Sequence, residues 1–356
     1  MSSNVIAEAP NYDHVSPIRP WAASNRERII STGIFILALI TAFLLVSFTG
    51  FSGKLGFFIL FIIIFAGINS FRDYLRFGSA LAKDTLVNTL VAAGAFITIV
   101  PILSILYTVI SKGTKGIYTG LFYRDMSVSA PSDPLNVGGL AHSIVGTLLL
   151  VGVALVISVP IGILTALYLT EIKGKFSRPI RFLVQAMSGV PSIVAGLFIY
   201  SAILIPITKD NSSLLGSLAL TILMIPTVAR TSEEVLNLIP NDLREAGVAL
   251  GGTQWRSVAL IVVPAAKSGL ITAVILGVAR IAGETAPVLL VAGGGDKFNF
   301  NPTSGPMGSL PYYIWRSFGA GSEEAIARAW SGLFVLLVIV FALFAVARFL
   351  GNRKAR

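Results

Sequence analysis

Residues 141–170 read AHSIVGTLLLVGVALVISVPIGILTALYLT, and they lie in a stretch, 135–170, that contains no Asp, Glu, Lys or Arg. A helix needs about 20 apolar residues to cross the hydrocarbon core of a bilayer, so this stretch is long enough. Of the 356 residues in the chain, 54% are hydrophobic and 12% are charged, whereas soluble domains have about 25% charged residues. So few charged groups do not cover a water-facing surface, which predicts a membrane protein.

Further runs of the same character extend along the chain. Charge-free runs occupy residues 29–53, 55–71, 85–111, 182–208, 211–229 and 329–347. Another run, 268–295, is equally apolar but contains Arg280 and Glu284 near its middle. Most of these runs meet the length that a membrane-spanning helix needs, and 55–71 is the shortest. The sequence therefore predicts an all-α, polytopic membrane helix bundle with eight spans.

The charge balance agrees with a membrane location. Lys and Arg number 27 and Asp and Glu 17, which gives a net charge of +10, and most of the basic residues fall in segments that are cytoplasmic if both termini are inside. Multi-pass proteins carry this excess in their cytoplasmic loops, so the charge does not predict a nucleic-acid partner. The chain has no cysteine and only two histidines, His14 and His142. Thiol chemistry is excluded, and no metal site is expected.

Three segments outside the spans complete the predicted organisation. Residues 1–28 are polar and contain three prolines, which predicts a disordered cytoplasmic tail, and no apolar core begins early enough for a signal peptide. Residues 351–356 form a short cytoplasmic C-terminal tail. The longest cytoplasmic loop is 230–267, which is the only one between spans that is large enough to fold.

A short helix is predicted inside that loop. Pro240 ends one segment, Asp242 can cap a new helix, and Glu245 three residues later completes a capping-box pattern. The helix is expected over 243–250, ending at Gly251 and Gly252, where the chain enters a left-handed conformation. Its exposed positions are expected to include small residues (Ala246, Gly247 and Ala249), which allow another protein to approach closely. An interfacial helix resting on lipid is the alternative, but that helix needs an aromatic face opposite a basic one, which is missing here.

These residues resemble the EAA loop of ABC importer permeases. The pattern E-A-A, three residues, G, nine residues, I-x-L-P is matched in spacing throughout by Glu245, Ala246, Gly247, Gly251, Ile261 and Pro264. Gly247 replaces the second alanine and Val263 replaces the leucine. The resemblance implies that this helix docks on a separate ATP-hydrolysing subunit and transmits its closure to the membrane helices. No G-x-x-x-x-G-K-[ST] phosphate loop occurs in the chain. ATP and magnesium are therefore expected on the partner ATPase, with no cofactor or catalytic centre here.

The two charges in the run 268–295 form the second candidate site. Arg280 and Glu284 are four residues apart, so on one helix they share a face and can pair. A structural ion pair is one interpretation. In the other, Arg280 presents its donors to an oxyanion in the pathway, because charges inside a membrane usually face a pathway or the bundle interior. Glu284 then accepts a hydrogen bond from protonated phosphate, which sulfate does not provide.

The surrounding segment, 279–287 (ARIAGETAP), resembles the permeases of Pst-type phosphate importers, and 138–147, 189–197 and 226–234 agree with it. Together they are more similar to the A-type than to the C-type permease, over residues 86–350. The family core has six spans, so the resemblance implies a permease domain over 83–350, with 29–72 as an added N-terminal pair. It also places Arg280, Glu284, Thr285 and Arg230 on the substrate pathway. For Arg230, an ordinary anchor at the cytoplasmic interface is an equal alternative.

The resemblance implies an importer for inorganic phosphate in a bacterial or archaeal plasma membrane. Its expected partners are a homologous C-type permease, two copies of an ABC ATPase, an external phosphate-binding protein and membrane lipid. One alternative is a permease for sulfate or molybdate, which Arg280 alone does not distinguish. The other is a secondary transporter or channel, in which Arg280 and Glu284 serve an ion or proton route.

Overall fold

The structure, a computed structural model, describes residues 25–48, 53–249 and 251–352. In these residues it contains helices, turns and loops, and its one β-bridge joins Gly293 to Met307. The α-helices are α1 (Asn25–Phe48), α2 (Lys54–Phe77), α3 (Ser79–Gly113), α4 (Ala141–Leu167), α5 (Ser177–Ser188), α6 (Ser192–Ile199), α7 (Ser213–Asn237), α8 (Asn241–Ala249), α9 (Gln254–Ser257), α10 (Val263–Ala282), α11 (Ala286–Ala292), α12 (Leu310–Ala320) and α13 (Glu323–Asn352). Short 3₁₀ turns occupy Thr114–Gly116 and Thr119–Phe122, and π-helical segments occupy Tyr168–Ile172, Tyr200–Thr208 and Val258–Val262.

Seven helices in the described residues are long and apolar enough to cross a membrane. They are Arg26–Phe48, Lys54–Phe77, Ser79–Gly116, Ala141–Ile172, Ser213–Asn237, Gln254–Ala282 and Glu323–Phe349, and the number becomes eight if Ser177–Ser188 and Ser192–Thr208 are one broken span. That pair is bent by 105°, so the run 182–208 is not the continuous helix that the sequence predicts. Pro191 lies at the break; it has no N–H to donate, and it disfavours helical geometry in the residue before it. The predicted polytopic helical architecture is confirmed.

The chain divides into two compact units between Ser104 and Ile105. This division lies inside α3, whereas the sequence predicts the boundary of the permease domain before that helix, at residues 72–83. Within the first unit, Thr85 donates a hydrogen bond to the buried carboxylate of Asp73 (2.7 Å), which joins α3 to α2. Phe35 and Phe61 join α1 to α2 by an edge-to-face contact with ring centroids 5.2 Å apart.

The core of the second unit lies among α4, α7, α10 and α11. Its buried cluster includes Leu150, Leu223, Met224, Ile281 and Val288. Small residues bring these helices close together: a Cβ atom at Gly162 of α4 would lie 2.8 Å from Val228 of α7, and one at Gly277 of α10 would lie 2.9 Å from the same valine. In lipid, close backbone approach at small residues is a main source of helix packing, so Val228 is the point where three spans meet.

The joint between α10 and α11 interrupts the predicted eighth run. The helix stops at Ala282, Gly283 caps it, and α11 starts at Ala286 with Pro287 in its first turn. Proline is favoured in the first turn of a helix but ends the preceding one, so 268–295 forms two helices. As a result, Arg280 and Glu284 do not share one helical face, and the i, i+4 geometry predicted for them is wrong.

The predicted tails and loop differ from the structure in their bounds. Helix α1 begins at Asn25, so 25–28 are helical, and α13 reaches Asn352, so 351–352 are helical as well. The rest of both predicted tails, 1–24 and 353–356, lies outside the described residues. The predicted loop 230–267 is also largely helical, since it contains the last two turns of α7, all of α8 and α9, and the start of α10.

A buried guanidinium stabilises the loop before α4. Arg328, in the second turn of α13, is 1% exposed, and its Nη2 donates to the carbonyl oxygens of Asp133 (3.1 Å), Pro134 (2.7 Å) and Val137 (2.7 Å). Asp296, in the loop after α11, forms an ion pair with Arg316 of α12. That hydrogen bond raises the pKa of the Arg316 guanidinium above its ordinary value. Both loops are therefore fixed by arginines of the α12 and α13 pair.

Candidate functional site

Arg280 lies in the last turn of α10 and points toward α7. Its Nη1 donates a hydrogen bond to Oγ1 of Thr227, 3.0 Å away. Thr227 follows Pro226, which is buried inside α7, and the helix continues through this proline without a break. The Arg280 side chain is exposed on this subunit, so its remaining N–H donors are available to another molecule.

Glu284 and Thr285 occupy the joint between α10 and α11, and both are half-buried. The backbone N–H of Glu284 donates to the carbonyl of Ile281 (3.2 Å), and the carbonyl of Thr285 accepts from Leu289 (2.9 Å). In the part of the chain that the structure describes, four salt bridges are formed, and none joins Arg280 to Glu284. The structure thus brings these predicted residues to one joint but does not pair them.

Arg230 lies on α7, one turn beyond Thr227, and is exposed. It lines a cleft of about 240 Å³ together with Gln185, Glu234 and Asn237, and with Arg181 and Glu233, which form an ion pair of 2.6 Å between α5 and α7. The sequence predicted Arg230 but not Arg181, which has no motif of its own. The guanidinium groups of Arg181 and Arg230 supply hydrogen-bond donors to this cleft, and the carboxylate of Glu233, which pairs with Arg181, supplies acceptors.

The predicted docking helix is α8, which begins at Asn241 and ends at Ala249. Asp242 therefore lies in the first turn and is not the capping residue. The left-handed end is confirmed, since Gly251 has a φ of +81°. Glu245 and Ala246 are exposed, as the docking interpretation requires, and Pro264 is exposed in the first turn of α10.

Gly247 is buried, which corrects the prediction that it is an exposed contact for a partner. A Cβ atom at this position would lie 2.4 Å from Oγ of Ser257 and 2.7 Å from Cδ1 of Ile261. Glycine at this position thus allows α8 to pack closely on the segment that leads into α10. The small residue serves packing within the chain, and only tertiary structure reveals this.

A second ion pair attaches α8 to the end of a membrane span. Arg244 donates from Nη2 to Oε1 of Glu171 (3.0 Å), and from Nε to Oε1 (3.2 Å) and Oε2 (3.1 Å). Glu171 lies in the π-helical turn that ends span 141–172. Both residues line a cleft of about 610 Å³ beside α8, together with Glu245 and Val248. No local pattern in the sequence predicts this pair, although Glu171 is the first charge after the run 135–170.

A bundle of membrane helices with a short helix, α8, between two late spans is an arrangement that fits a transport permease. The chain belongs to the family of binding-protein-dependent transport system inner membrane components, whose model matches residues 158–356. A solved structure agrees in fold: the crystal structure of a bacterial ABC transporter involved in the import of the acidic polysaccharide alginate. It has a TM-score of 0.54 and 17% identity, and the match covers 78% of this chain and 100% of that one.

Within this family, the chain groups with the PstA permeases. It is 34% identical over 279 residues to phosphate transport system permease protein PstA 1 of Mycobacterium tuberculosis (strain ATCC 25618 / H37Rv), a match that covers 77% of this chain and 90% of that protein. It is 38% identical over 268 residues to PstA of Pasteurella multocida (strain Pm70), covering 73% of this chain and 93% of that protein.

Proposed function

We propose that this chain is the A-type permease subunit of an ATP-driven importer of inorganic phosphate. The observation that carries the proposal is the identity of 34% to 38% with phosphate permeases over about three quarters of the chain. The match also extends over 90% and 93% of these two relatives, which supports a subunit of the same kind. An exposed guanidinium at the end of α10 supplies chemistry that suits an oxyanion.

In this proposal the pathway residues are Arg280, Thr285, Glu284 and Arg230. Arg280 offers a planar set of N–H donors to phosphate oxygens, and its bond to Thr227 holds the guanidinium in place. Glu284 accepts a hydrogen bond from the proton that phosphate retains at neutral pH. Arg230 lies a turn further along α7 and receives the anion on the inner half of the route.

The energy comes from partner subunits. A homologous C-type permease completes the pathway, two copies of an ABC ATPase bind ATP and magnesium, and an external binding protein delivers phosphate. In this scheme α8 docks on the ATPase through the exposed face that carries Glu245 and Ala246, and ATP-driven closure of the ATPase dimer opens the pathway outward. The complex lies in the plasma (inner) membrane of a bacterium or archaeon, with both termini of this chain in the cytoplasm.

The test is uptake of radiolabelled phosphate by cells that lack this gene and carry either the wild-type chain or Arg280→Ala. Arg348→Ala is the matched control, because Arg348 is an exposed arginine near the end of α13. We expect uptake with the wild-type and Arg348→Ala chains, no uptake with Arg280→Ala, and no competition by excess unlabelled sulfate. Membrane content of each variant is measured by immunoblot. If deletion of the gene left phosphate uptake unchanged under phosphate starvation, the assignment of phosphate as the substrate would be refuted.

A further inference from the structure

One side chain, Arg244, binds the docking helix to the ends of two membrane spans. Besides its three hydrogen bonds to Glu171 at the end of span 141–172, it donates from Nη2 to the carbonyl of Leu236 (2.8 Å) and from Nη1 to that of Ile239 (2.6 Å). Leu236 lies in the last turn of α7, and Ile239 lies two residues beyond that helix. All three guanidinium nitrogens of Arg244 are therefore used, and each span end receives at least one of them.

The geometry of this contact requires an arginine. Nε and Nη2 approach the same carboxylate together, while Nη1 and Nη2 reach carbonyl groups on the other side. The ammonium of a lysine is a single point of donors and does not contact both sets at once. The Glu171 side chain is 5% exposed and that of Arg244 is 22% exposed, so water does not easily replace either partner.

The two spans that Arg244 contacts are rigidly packed on each other. Gly162 of α4 lies against Val228 of α7, and the buried cluster of the second unit contains residues of both helices. A displacement applied at their cytoplasmic ends therefore moves the two helices together, because a close-packed interior transmits strain.

The third side of the docking helix leads to the proposed pathway. Ser257 donates from Oγ to the carbonyl of Arg244 (3.3 Å), and Gln254 donates from Nε2 to the carbonyl of Glu171 (2.6 Å). Both residues belong to α9, which continues through the π-helical segment into α10. Helix α10 ends at Ala282, two residues after Arg280. The same arginine is thus attached to the start of the helix that carries the candidate phosphate ligand.

We propose that Arg244 is a positioning residue that transmits movement of α8 to the membrane helices through its pair with Glu171. This inference rests on the proposed function. Two neighbouring residues of α8 then have different roles. The exposed Glu245 contacts the ATPase, and Arg244 connects that contact to the membrane spans. Removing Arg244 leaves docking intact and disconnects ATP hydrolysis from transport.

The test uses the full complex, purified through a tag on this chain and reconstituted in liposomes. Phosphate uptake and ATP hydrolysis are measured in the same preparations for wild type, Arg244→Ala and Arg244→Lys. Arg256→Ala is the matched control, because Arg256 is an exposed arginine of the same cytoplasmic segment. We expect Arg244→Ala to retain the ATPase subunit and its hydrolysis while phosphate transported per ATP falls at least about fivefold, the lower end of typical coupling between sites. Arg244→Lys should be intermediate, and Arg256→Ala unchanged.

The charge-swapped pair, Arg244→Glu with Glu171→Arg, separates a specific pairing from general damage to the helix. If the ion pair carries the coupling, the swap restores more transport per ATP than either single change retains. Transport per ATP that is equal in Arg244→Ala and Arg256→Ala overturns the inference. Loss of the ATPase subunit from Arg244→Ala also overturns it, because Arg244 would then serve assembly.

Hydrogen exchange gives a readout that does not depend on the transported substrate. In the wild-type complex, trapping with ATP, magnesium and vanadate should change deuterium uptake in residues 163–172 and 228–238, where α4 and α7 approach α8. The change should disappear in Arg244→Ala and persist in Arg256→Ala. If wild type transports no phosphate, the proposed substrate fails, and this comparison still decides the role of Arg244. A change that persists in Arg244→Ala contradicts that role.

Discussion

Nη1 of Arg280 lies 3.0 Å from Oγ1 of Thr227, and this hydrogen bond joins the last turn of α10 to α7 directly after its buried proline. In the part of the chain that the structure describes, it is the only hydrogen bond of the Arg280 side chain. A guanidinium has five N–H donors, so most of them are left for an anion. The bond orients a charged group that otherwise has many rotamers.

Thr227→Val tests this orientation. Valine has nearly the shape of threonine but does not accept a hydrogen bond, so Arg280 loses its fixed position while its charge remains. We expect the KM for phosphate uptake to rise by about tenfold, equivalent to about 1.4 kcal/mol, with ATP hydrolysis retained. Thr272→Val is the control, because Thr272 is an exposed threonine on α10 that bonds only its own helix. Equal KM values for the two variants would show that the bond has no role in binding.

Glu284→Gln tests the proposed selectivity against sulfate. The glutamate lies in the joint after α10 without an ion pair to Arg280, so its carboxylate is available to accept a hydrogen bond from protonated phosphate. Glutamine keeps the size of the side chain but has no charge to repel a fully deprotonated anion. We expect excess sulfate to inhibit phosphate uptake in this variant and not in wild type. Unchanged resistance to sulfate would assign Glu284 a structural role.

Gly247→Ala tests the packing of the docking helix. The added methyl would lie 2.4 Å from Oγ and 2.9 Å from Cβ of Ser257, so α8 must move away from α9. Overpacking of this kind costs about 1–3 kcal/mol, so we expect a lower unfolding temperature and less copurified ATPase. The double variant Gly247→Ala, Ser257→Gly removes the Oγ and Cβ atoms of Ser257, so it should regain part of the unfolding temperature and part of the copurified ATPase. A Gly247→Ala chain that binds the ATPase normally would exclude a tight contact here.

Arg328→Met tests the buried guanidinium of α13. Methionine fills part of the volume but leaves the carbonyl groups of Asp133, Pro134 and Val137 without their donor. Each hydrogen bond from a charged donor contributes about 1.5–3 kcal/mol, so the loss of all three should loosen this loop. We expect cleavage by added protease within 129–137 of the purified chain, under conditions that leave wild type and the exposed control Lys115→Met intact. Resistance of all three chains would show that other contacts hold the loop.

Much of the fold follows from composition alone. Each predicted run corresponds to one helix or to two consecutive helices, because hydrocarbon offers no hydrogen bonds and the polar backbone must satisfy its own N–H and C=O groups. Two of the predicted runs, 182–208 and 268–295, are broken in the structure. Both breaks lie at Gly and Pro residues, at 189–191 and at 283–287. A count of charged residues does not register these residues, although they decide where a helix bends or ends.

The candidate site was predictable to a smaller extent. The EAA-like pattern located α8, and its end at Gly251 followed from the need for a positive φ. The bond from Arg280 to Thr227, the pair of Arg181 with Glu233 and the pair of Arg244 with Glu171 were not foreseen, because each joins residues more than 50 positions apart. No local spacing encodes such contacts.

The sequence was enough to predict a helical membrane permease and to locate α8 and its end at Gly251, since these features depend on local composition and short-range spacing. Tertiary structure alone decided which side chains meet: that Gly247 faces inward, that Arg280 contacts α7 and not Glu284, and that Arg244 reaches two spans. The reason is that these contacts depend on how helices pack and where they break. Packing is set by close approach at small residues that are distant in the chain, such as Gly162 and Gly277 at Val228, and breaks are set by Gly and Pro.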